Sequence, residues 1–132
     1  MMPLGKDMNA KITHVALVVR NKDEAVEFYT KNIGFEKKAD YNPPAGERWV
    51  TVGPKGQDLE LVLSQAATGG ANNSSAHITM SVDDCKKISA ELKSHGVQFK
   101  QDPLEHPYGI SAIFVDLDGN SFQINQYPQK RS

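Results

Sequence analysis

The stretch HVALVV at residues 14–19 decides the fold, because it returns 63 residues later as HITMSV at residues 77–82. The same shift lays Gly56 on Gly119 and a later apolar stretch of the first copy on one of the second. Identity between the copies is weak, but the alternation of apolar and polar residues persists. A repeat of this length predicts two copies of one supersecondary unit.

Each copy predicts the element order βαβββ. Residues 12–19 alternate and are rich in β-branched residues, which is typical of a strand. The next helix is predicted at about residues 23–32, with Gly34 ending it. In the second copy Asp83 or Asp84 can cap the helix and Gly96 closes it. Three short strands follow each helix, near residues 35–39, 48–52 and 59–63 in the first copy and near 98–101, 112–116 and 121–126 in the second.

The pattern therefore predicts an α+β fold in which two βαβββ modules form a cupped, mixed eight-stranded sheet with the helices on its outer face. The modules span residues 11–65 and 76–127 of a single domain, 11–127. Outside the modules we expect a Gly-, Asn- and Ser-rich linker at 66–75, a flexible leader at 1–10 and a tail at 128–132.

Composition narrows the classes of function. The 132 residues suffice for one domain, and 39% hydrophobic with 23% charged residues is ordinary for a globular protein. A net charge of −1 without a basic stripe argues against nucleic acid or an anionic membrane as partner. The longest apolar run, residues 15–19, is too short to cross a bilayer. Cys85 is the only cysteine, so no intrachain disulfide forms, and we expect a cytoplasmic location.

Four polar residues share the predicted sheet face that points away from the helices. Alternate residues of a strand lie on opposite faces, and the large apolar residues of these strands turn toward the helix. The remaining face carries His14 and Glu60 in the first copy and His77 and Gln123 in the second, each pair 46 residues apart. Two imidazoles, a carboxylate and an amide oxygen suit a divalent ion such as Zn, Ni, Fe, Mn or Co. The sequence predicts a metal site at these four residues, with a metal-free polar groove as the alternative.

Two aromatic residues are candidates for substrate binding. Trp49 shares an alternation face with Thr51 and can stack on a planar substrate. Tyr108, in a Pro-Tyr-Gly turn, can lean over the cup. His95 and His106 are interpreted as solvated loop residues.

The chain resembles the vicinal oxygen chelate (glyoxalase/bleomycin resistance/dioxygenase) superfamily over about residues 11–127. The stretches that carry the resemblance are HVALVV at 14–19, Phe28-Tyr29 through Gly34-Phe35, DLEL at 58–61, His77-Ile78 and DLDGN at 116–120. The resemblance implies paired βαβββ modules, a divalent metal held from four equivalent strand positions, and a homodimer that covers the sheet edges.

Gln123 departs from the family pattern. Members similar to glyoxalase I carry a glutamate there, which takes part in proton abstraction. An amide cannot serve as a base at neutral pH, so the resemblance does not extend to glyoxalase I activity. Extradiol dioxygenases also differ, since their carboxylate comes from the last strand and not from the Glu60 position.

Two classes of function remain open. In the first, a metal-dependent lyase, isomerase or oxygenase chelates vicinal oxygens of a small metabolite, and Glu60 is either a metal ligand or the catalytic base. In the second, a metal-free protein of the bleomycin-resistance type sequesters a drug or metabolite in the cup.

Overall fold

The computed structural model describes residues 8–65 and 76–128, so the predicted linker and most of the predicted leader and tail lie outside the described residues. The first module consists of β1 (His14–Val19), α1 (Lys22–Glu27) with a π-helical continuation (Phe28–Ile33), β2 (Glu36–Tyr41), β3 (Trp49–Gly53) and β4 (Glu60–Gln65). The second consists of β5 (His77–Ser81), α2 (Cys85–Ser94), β6 (Gln98–His106), β7 (Gly109–Val115) and β8 (Ser121–Gln126).

The predicted α+β fold of two βαβββ modules is confirmed. The strands form two four-stranded mixed sheets with the equivalent orders β1-β4-β3-β2 and β5-β8-β7-β6. In each sheet the first and last strands of the module run parallel, and the other neighbours are antiparallel. The eight predicted strands are thus divided between two sheets, and β1 and β5 are edge strands in the described part of the chain.

Alternation explains which face of each sheet is buried. Leu17 of β1 and Leu63 of β4 are at most 1% exposed, as are Phe122 and Ile124 of β8. These helix-side residues of both modules belong to one hydrophobic core. Because the modules share this core through their helix sides, the polar faces of both sheets point away from it.

Capping residues set the helix boundaries. The Asn21 side chain accepts a hydrogen bond from the Glu24 N–H, and Asp84, one of the two predicted caps, accepts from the Lys87 N–H. Gly34 ends the first helix with a φ of 94°, as its position predicted. The first helix starts at Lys22 and not at Asp23, and its second half is π-helical.

The π-helical segment buries two consecutive aromatic residues. Phe28 and Tyr29 are both buried, with their rings 5.8 Å apart in an edge-on arrangement. Thr30 donates its hydroxyl to the Val26 carbonyl, a local bond that competes with the regular helical ladder. Wider turns of this kind are commonly found where a helix serves a special contact.

That contact is a joint between the modules, the Asp116 joint, in which Asp116, Asn120 and Tyr29 are buried and the Asp118–Arg20 pair lies at the exposed edge. The Tyr29 hydroxyl donates to Asp116 Oδ2 at 2.6 Å, and Asn120 Nδ2 donates to the same oxygen at 2.8 Å. Oδ1 accepts the backbone N–H groups of Asp118 and Asn120. Arg20 Nε donates to Asp118 Oδ1 at 2.9 Å. Burial, together with the neighbouring Asp116 charge, raises the pKa of Tyr29 far above its usual range, so the phenol remains a proton donor.

Cys85, the first residue of α2, is buried in the core. Its N–H donates to Gln126 Oε1 at 2.8 Å, which ties the start of α2 to the end of β8. Burial raises the pKa of its thiol, which keeps it protonated and unreactive. No helix in residues 8–65 or 76–128 is long and apolar enough to cross a membrane.

Replacing Tyr29 with phenylalanine tests the Asp116 joint. We expect the free energy of unfolding in urea to fall by about 1.5–3 kcal/mol, because a hydrogen bond to a buried charged group is lost. Tyr41→Phe is the matched control, since Tyr41 is 57% exposed, and it should stay within about 0.5 kcal/mol of the parent. Equal effects of the two substitutions would contradict a stabilising role for the joint.

Candidate functional site

The first half-site lies on the polar face of the β1-β4-β3-β2 sheet. His14 is the register partner of Glu60, and His14 Nε2 lies 3.7 Å from Glu60 Oε1. The fully buried Thr51 donates its hydroxyl to that carboxylate oxygen at 2.6 Å. The His14 ring lies 5.9 Å from the Trp49 ring at a tilt of 56°. The sequence-predicted residues His14, Glu60 and Trp49 therefore come together on one sheet.

Arg48 fixes the strand that carries Trp49. Its Nε and Nη2 donate to the two oxygens of Asp40 on β2, each at 2.8 Å, and Nη1 donates to Asp23 on α1. The guanidinium holds the pKa of the Asp40 carboxyl well below its usual range. Register then sets Tyr41 of β2 opposite Trp49, so two aromatic residues lie side by side at this edge of the face.

The second half-site lies on the polar face of the β5-β8-β7-β6 sheet. Gln123 Nε2 donates to Asn125 Oδ1 at 3.0 Å, and Asn125 Nδ2 donates to the Tyr127 hydroxyl at 2.8 Å. His77 is exposed on the edge strand β5. Gln123 and His77 share this sheet with each other, but not with His14 or Glu60.

The strand register differs between the half-sites by two residues. His14 pairs with Glu60 in the first sheet, whereas His77 pairs with Ser121 in the second and Gln123 pairs with Thr79. The equal 46-residue spacing does not produce equal geometry. A two-residue offset along a strand is about 6.6 Å, so His77 and Gln123 do not form the close pair that His14 and Glu60 form.

The β6–β7 hairpin carries the predicted residue Tyr108 and adds His106 and Ser111, which were not predicted as site residues. The His106 ring stacks on the Tyr108 ring with centroids 4.6 Å apart and planes 5° from parallel. His106 Nε2 also lies 2.9 Å from the Ser111 hydroxyl, and Ser111 is the register partner of Asn125. The interpretation of His106 as a solvated loop residue is wrong, because β6 continues past Gln101 to His106.

Two signals could have found these residues. Alternation along β7 places Ser111 on the same face as Ile113, the partner of Gln123. The second signal concerns Pro103. The prediction ended β6 before this proline, but an edge strand tolerates proline because the N–H groups on its outer side have no neighbouring strand to bond. β6 is such an edge strand, with register shifts on both sides of Gln101.

The four predicted metal ligands do not come together in one chain. In the described part of the chain no three side chains of the His, Cys, Asp and Glu types lie close enough together to hold a metal ion. His14 and Glu60 form a two-residue group, and the Glu60 oxygen nearest His14 is already an acceptor for Thr51. The donors of a single chain therefore do not fit a four-ligand metal site.

Gly109 controls the position of the β6–β7 hairpin. Its φ is 143°, and a Cβ added there would lie 2.1 Å from the Gln126 carbonyl oxygen. Gly119 also has a positive φ, 85°, but an added Cβ would meet no heavy atom within 4 Å.

The two glycines make a matched pair of substitutions. Gly119→Ala should lower the free energy of unfolding by about 1–2 kcal/mol, the cost of a left-handed conformation. Gly109→Ala should cost about 1–3 kcal/mol more, because backbone must also move. It should also change the chemical shifts of the Tyr108 and His106 rings, whereas Gly119→Ala should not. Equal losses from both substitutions would show that the close approach at Gly109 is unimportant.

Two βαβββ modules that share one core, each with a polar sheet face that carries side-chain hydrogen bonds, define a class of paired-module α+β proteins. The chain belongs to the Glyoxalase/Bleomycin resistance protein/Dioxygenase superfamily, whose family model matches residues 11–124. The resemblance seen in the sequence is confirmed. Members of this superfamily bind small molecules, and many of them use divalent metals.

Individual relatives agree with the family assignment. An uncharacterized protein of Shewanella frigidimarina (strain NCIMB 400) is 31% identical over 94% of this chain and 98% of its own length. The crystal structure of UcmS2 superposes with a TM-score of 0.80 at 33% identity, covering 89% of this chain and 98% of UcmS2. TnmS3, described as an antibiotic binding protein from Streptomyces sp. CB03234, superposes with a TM-score of 0.80 at 30% identity over 93% of this chain and 100% of its own.

Proposed function

We propose that this protein is a metal-free binder of a planar, oxygen-bearing organic molecule, held between aromatic rings on the polar sheet faces. The observation that carries the proposal is that polar side chains of both half-sites are already hydrogen-bonded to other side chains. Glu60 and Gln123 already take part in side-chain hydrogen bonds within their own sheets. The Trp49 ring lies 5.9 Å from the ring of His14 in the first half-site, and the Tyr127 hydroxyl accepts from Asn125 in the second. Such a surface recognises flat molecules by stacking and by a few directed hydrogen bonds. TnmS3, a structural relative described as antibiotic binding, supports the same kind of function.

We further propose that the binding unit is a homodimer. The half-sites of one chain lie on different sheets that share a core through their helix sides, so one chain does not bring them face to face. A second copy related by a twofold axis would set the first half-site of each chain against the second half-site of the other. Pairing of this kind would also cover the open edges of β1 and β5.

Cellular location and other partners follow from the sequence alone. We propose a cytoplasmic protein, since the single cysteine cannot form an intrachain disulfide. The net charge of −1 supports a small-molecule ligand over nucleic acid or an anionic membrane surface.

The metal-dependent alternative rests on one contact. His14 and Glu60 are close enough to share an ion, and a partner chain could supply His77 and Gln123. A bound Zn, Ni, Fe, Mn or Co ion would supply Lewis-acid activation of vicinal oxygens. In that case Glu60 would be a ligand or the catalytic base.

A heterodimer experiment tests the shared binding site. Trp49 is the only tryptophan, so quenching of its fluorescence by a planar probe such as quinizarin sulfonate reports binding directly. We expect saturable quenching in the parent and a mass of twice 14.5 kDa by light scattering. Trp49→Ala in the first half-site and His106→Ala in the second should each weaken binding at least tenfold by calorimetry.

Differently tagged Trp49→Ala and His106→Ala chains are then combined and the heterodimer is purified. If sites span two chains, one of its two sites joins two intact halves and regains parent affinity, with half the parent stoichiometry. If each site lies within one chain, every site carries one defect and no tight binding returns. A monomeric parent, or a heterodimer without a tight site, would refute the shared site. Absence of saturable quenching in the parent would count against binding of a planar ligand.

Metal analysis separates the binder from the enzyme. Protein purified without chelator should contain only background divalent metal, and His14→Ala, His77→Ala, Gln123→Ala and Gln123→Glu should leave that content unchanged. The metal-dependent alternative predicts that these variants differ in metal content. Either histidine variant would then abolish stoichiometric metal, Gln123→Ala would weaken binding less because water can replace an amide oxygen, and Gln123→Glu would tighten it by adding an anionic ligand. That second pattern would overturn our proposal.

A further inference from the structure

A cleft of about 550 Å³ lies between the two modules, on the helix side of their sheets. Leu59 and Leu61 line it from the first module, and Met80, Ile88 and Leu92 line it from the second. All five are apolar, whereas the half-sites described above consist of polar and aromatic residues on the opposite sheet faces. The cleft therefore lies on the helix side of the sheets, and it reaches the second half-site only at the edge strand β5, where Thr79 and Ser81, the register partners of Gln123 and Asn125, also line it.

The internal repeat explains why this space is open. A shift of 63 residues relates Tyr29 of the first helix to Leu92 of the second. Tyr29 fills its side of the module interface, with its ring 5.8 Å from the Phe122 ring and its hydroxyl bonded to Asp116. Leu92 has neither the ring nor the hydroxyl. Leu92 of the second module and Leu61 of the first are largely buried and both line the cleft, whereas Tyr29 packs against Phe122 on the other side of the module interface.

The walls of the cleft include apolar residues that pack against the core but that solvent still reaches. Ile33, Phe35, Ile78, Met80 and Ile88 pack against the buried core but remain partly exposed. Apolar side chains that stay in contact with water forgo the free energy of burial, and an apolar cavity hydrates poorly. The volume lies within the range of about 300–1,000 Å³ that is typical of ligand sites.

The rim of the cleft carries a cation. Lys55 and Gln57, in the turn between β3 and β4, line the opening together with Ser81 at the end of β5. Lys55 is exposed and makes no ion pair in the described part of the chain, whereas nearby Lys38 is directed to the Gln57 carbonyl and to Glu36. An ammonium above an apolar wall suits a ligand with an apolar body and an anionic end.

We propose that this cleft is a second binding site, and that it takes a single-chain amphiphile of the fatty-acid type, with the alkyl chain between Leu61 and Leu92 and the carboxylate at Lys55. The alkyl chain replaces the missing Tyr29-like ring in covering both walls. The carboxylate remains at the rim, where it keeps most of its hydration.

Dodecanoate below its micelle concentration is the probe for the complete chain. With Ile, Leu, Met and Val methyl groups labelled for NMR, titration should give saturable shifts at Ile33, Met80 and Ile88. Val62 and Ile113, on the polar sheet faces, should not shift. Absence of saturable shifts at the cleft methyl groups, or shifts confined to the polar faces, would overturn the proposal.

Variants test the occupant and its orientation. Leu92→Tyr rebuilds the ring of the related position and should weaken dodecanoate binding at least tenfold, with Ile88→Phe as a second filling substitution should the first not fold. Leu117→Tyr is the matched control, since Leu117 is 48% exposed in the turn before β8, and it should bind as the parent does. Lys55→Gln should weaken dodecanoate several-fold and leave binding of neutral dodecanol unchanged. Undiminished binding in folded cleft-filled variants, or equal effects of Lys55→Gln on both probes, would refute the proposed site.

Discussion

The carboxylate of Asp116 is the constraint on which the arrangement of the two modules depends. A buried carboxylate is stable only when its oxygens are satisfied by donors. Here one oxygen accepts two backbone N–H groups of its own turn, and the other accepts Tyr29 and Asn120. Tyr29 belongs to the other module, and Asn120 also donates to the Val18 carbonyl of β1. The same charge thus shapes a turn in one module and orients a helix and a strand of the other.

This joint determines which surfaces remain available for function. Because Tyr29 reaches Asp116 from the helix side, the modules meet through their helix-facing residues and form one core. The polar faces are left on separate sheets. A chain whose candidate site is split in this way needs either a second copy or a ligand that each half-site can hold alone. Under the proposed function, the oligomeric state decides whether the two half-sites act on one ligand together.

The sequence predicted the fold well because its signals are local and repeated. Alternation in β1 and β5, the caps Asp84 and Gly34, and the apolar helix-facing residues each follow from backbone periodicity. The site was harder to predict, because it depends on long-range register. Equal spacing of His14–Glu60 and His77–Gln123 concealed a two-residue shift in the pairing of the first and last strands of the two modules. Contacts such as Thr51 to Glu60 likewise depend on pairing that one sequence does not reveal.

The differences between the two copies carry more information than their similarity. Where the copies agree, as in the inward-facing leucines of β4 and the inward Phe122 and Ile124 of β8, the residues build the core. Where they differ, each difference has a physical consequence. Tyr29 against Leu92 closes one module interface and leaves the other open, and Glu60 against Ser121 at the same register position gives the two polar faces different chemistry. A duplicated fold supplies equivalent positions, and substitutions at those positions can specialise one copy without destabilising the core that both copies share.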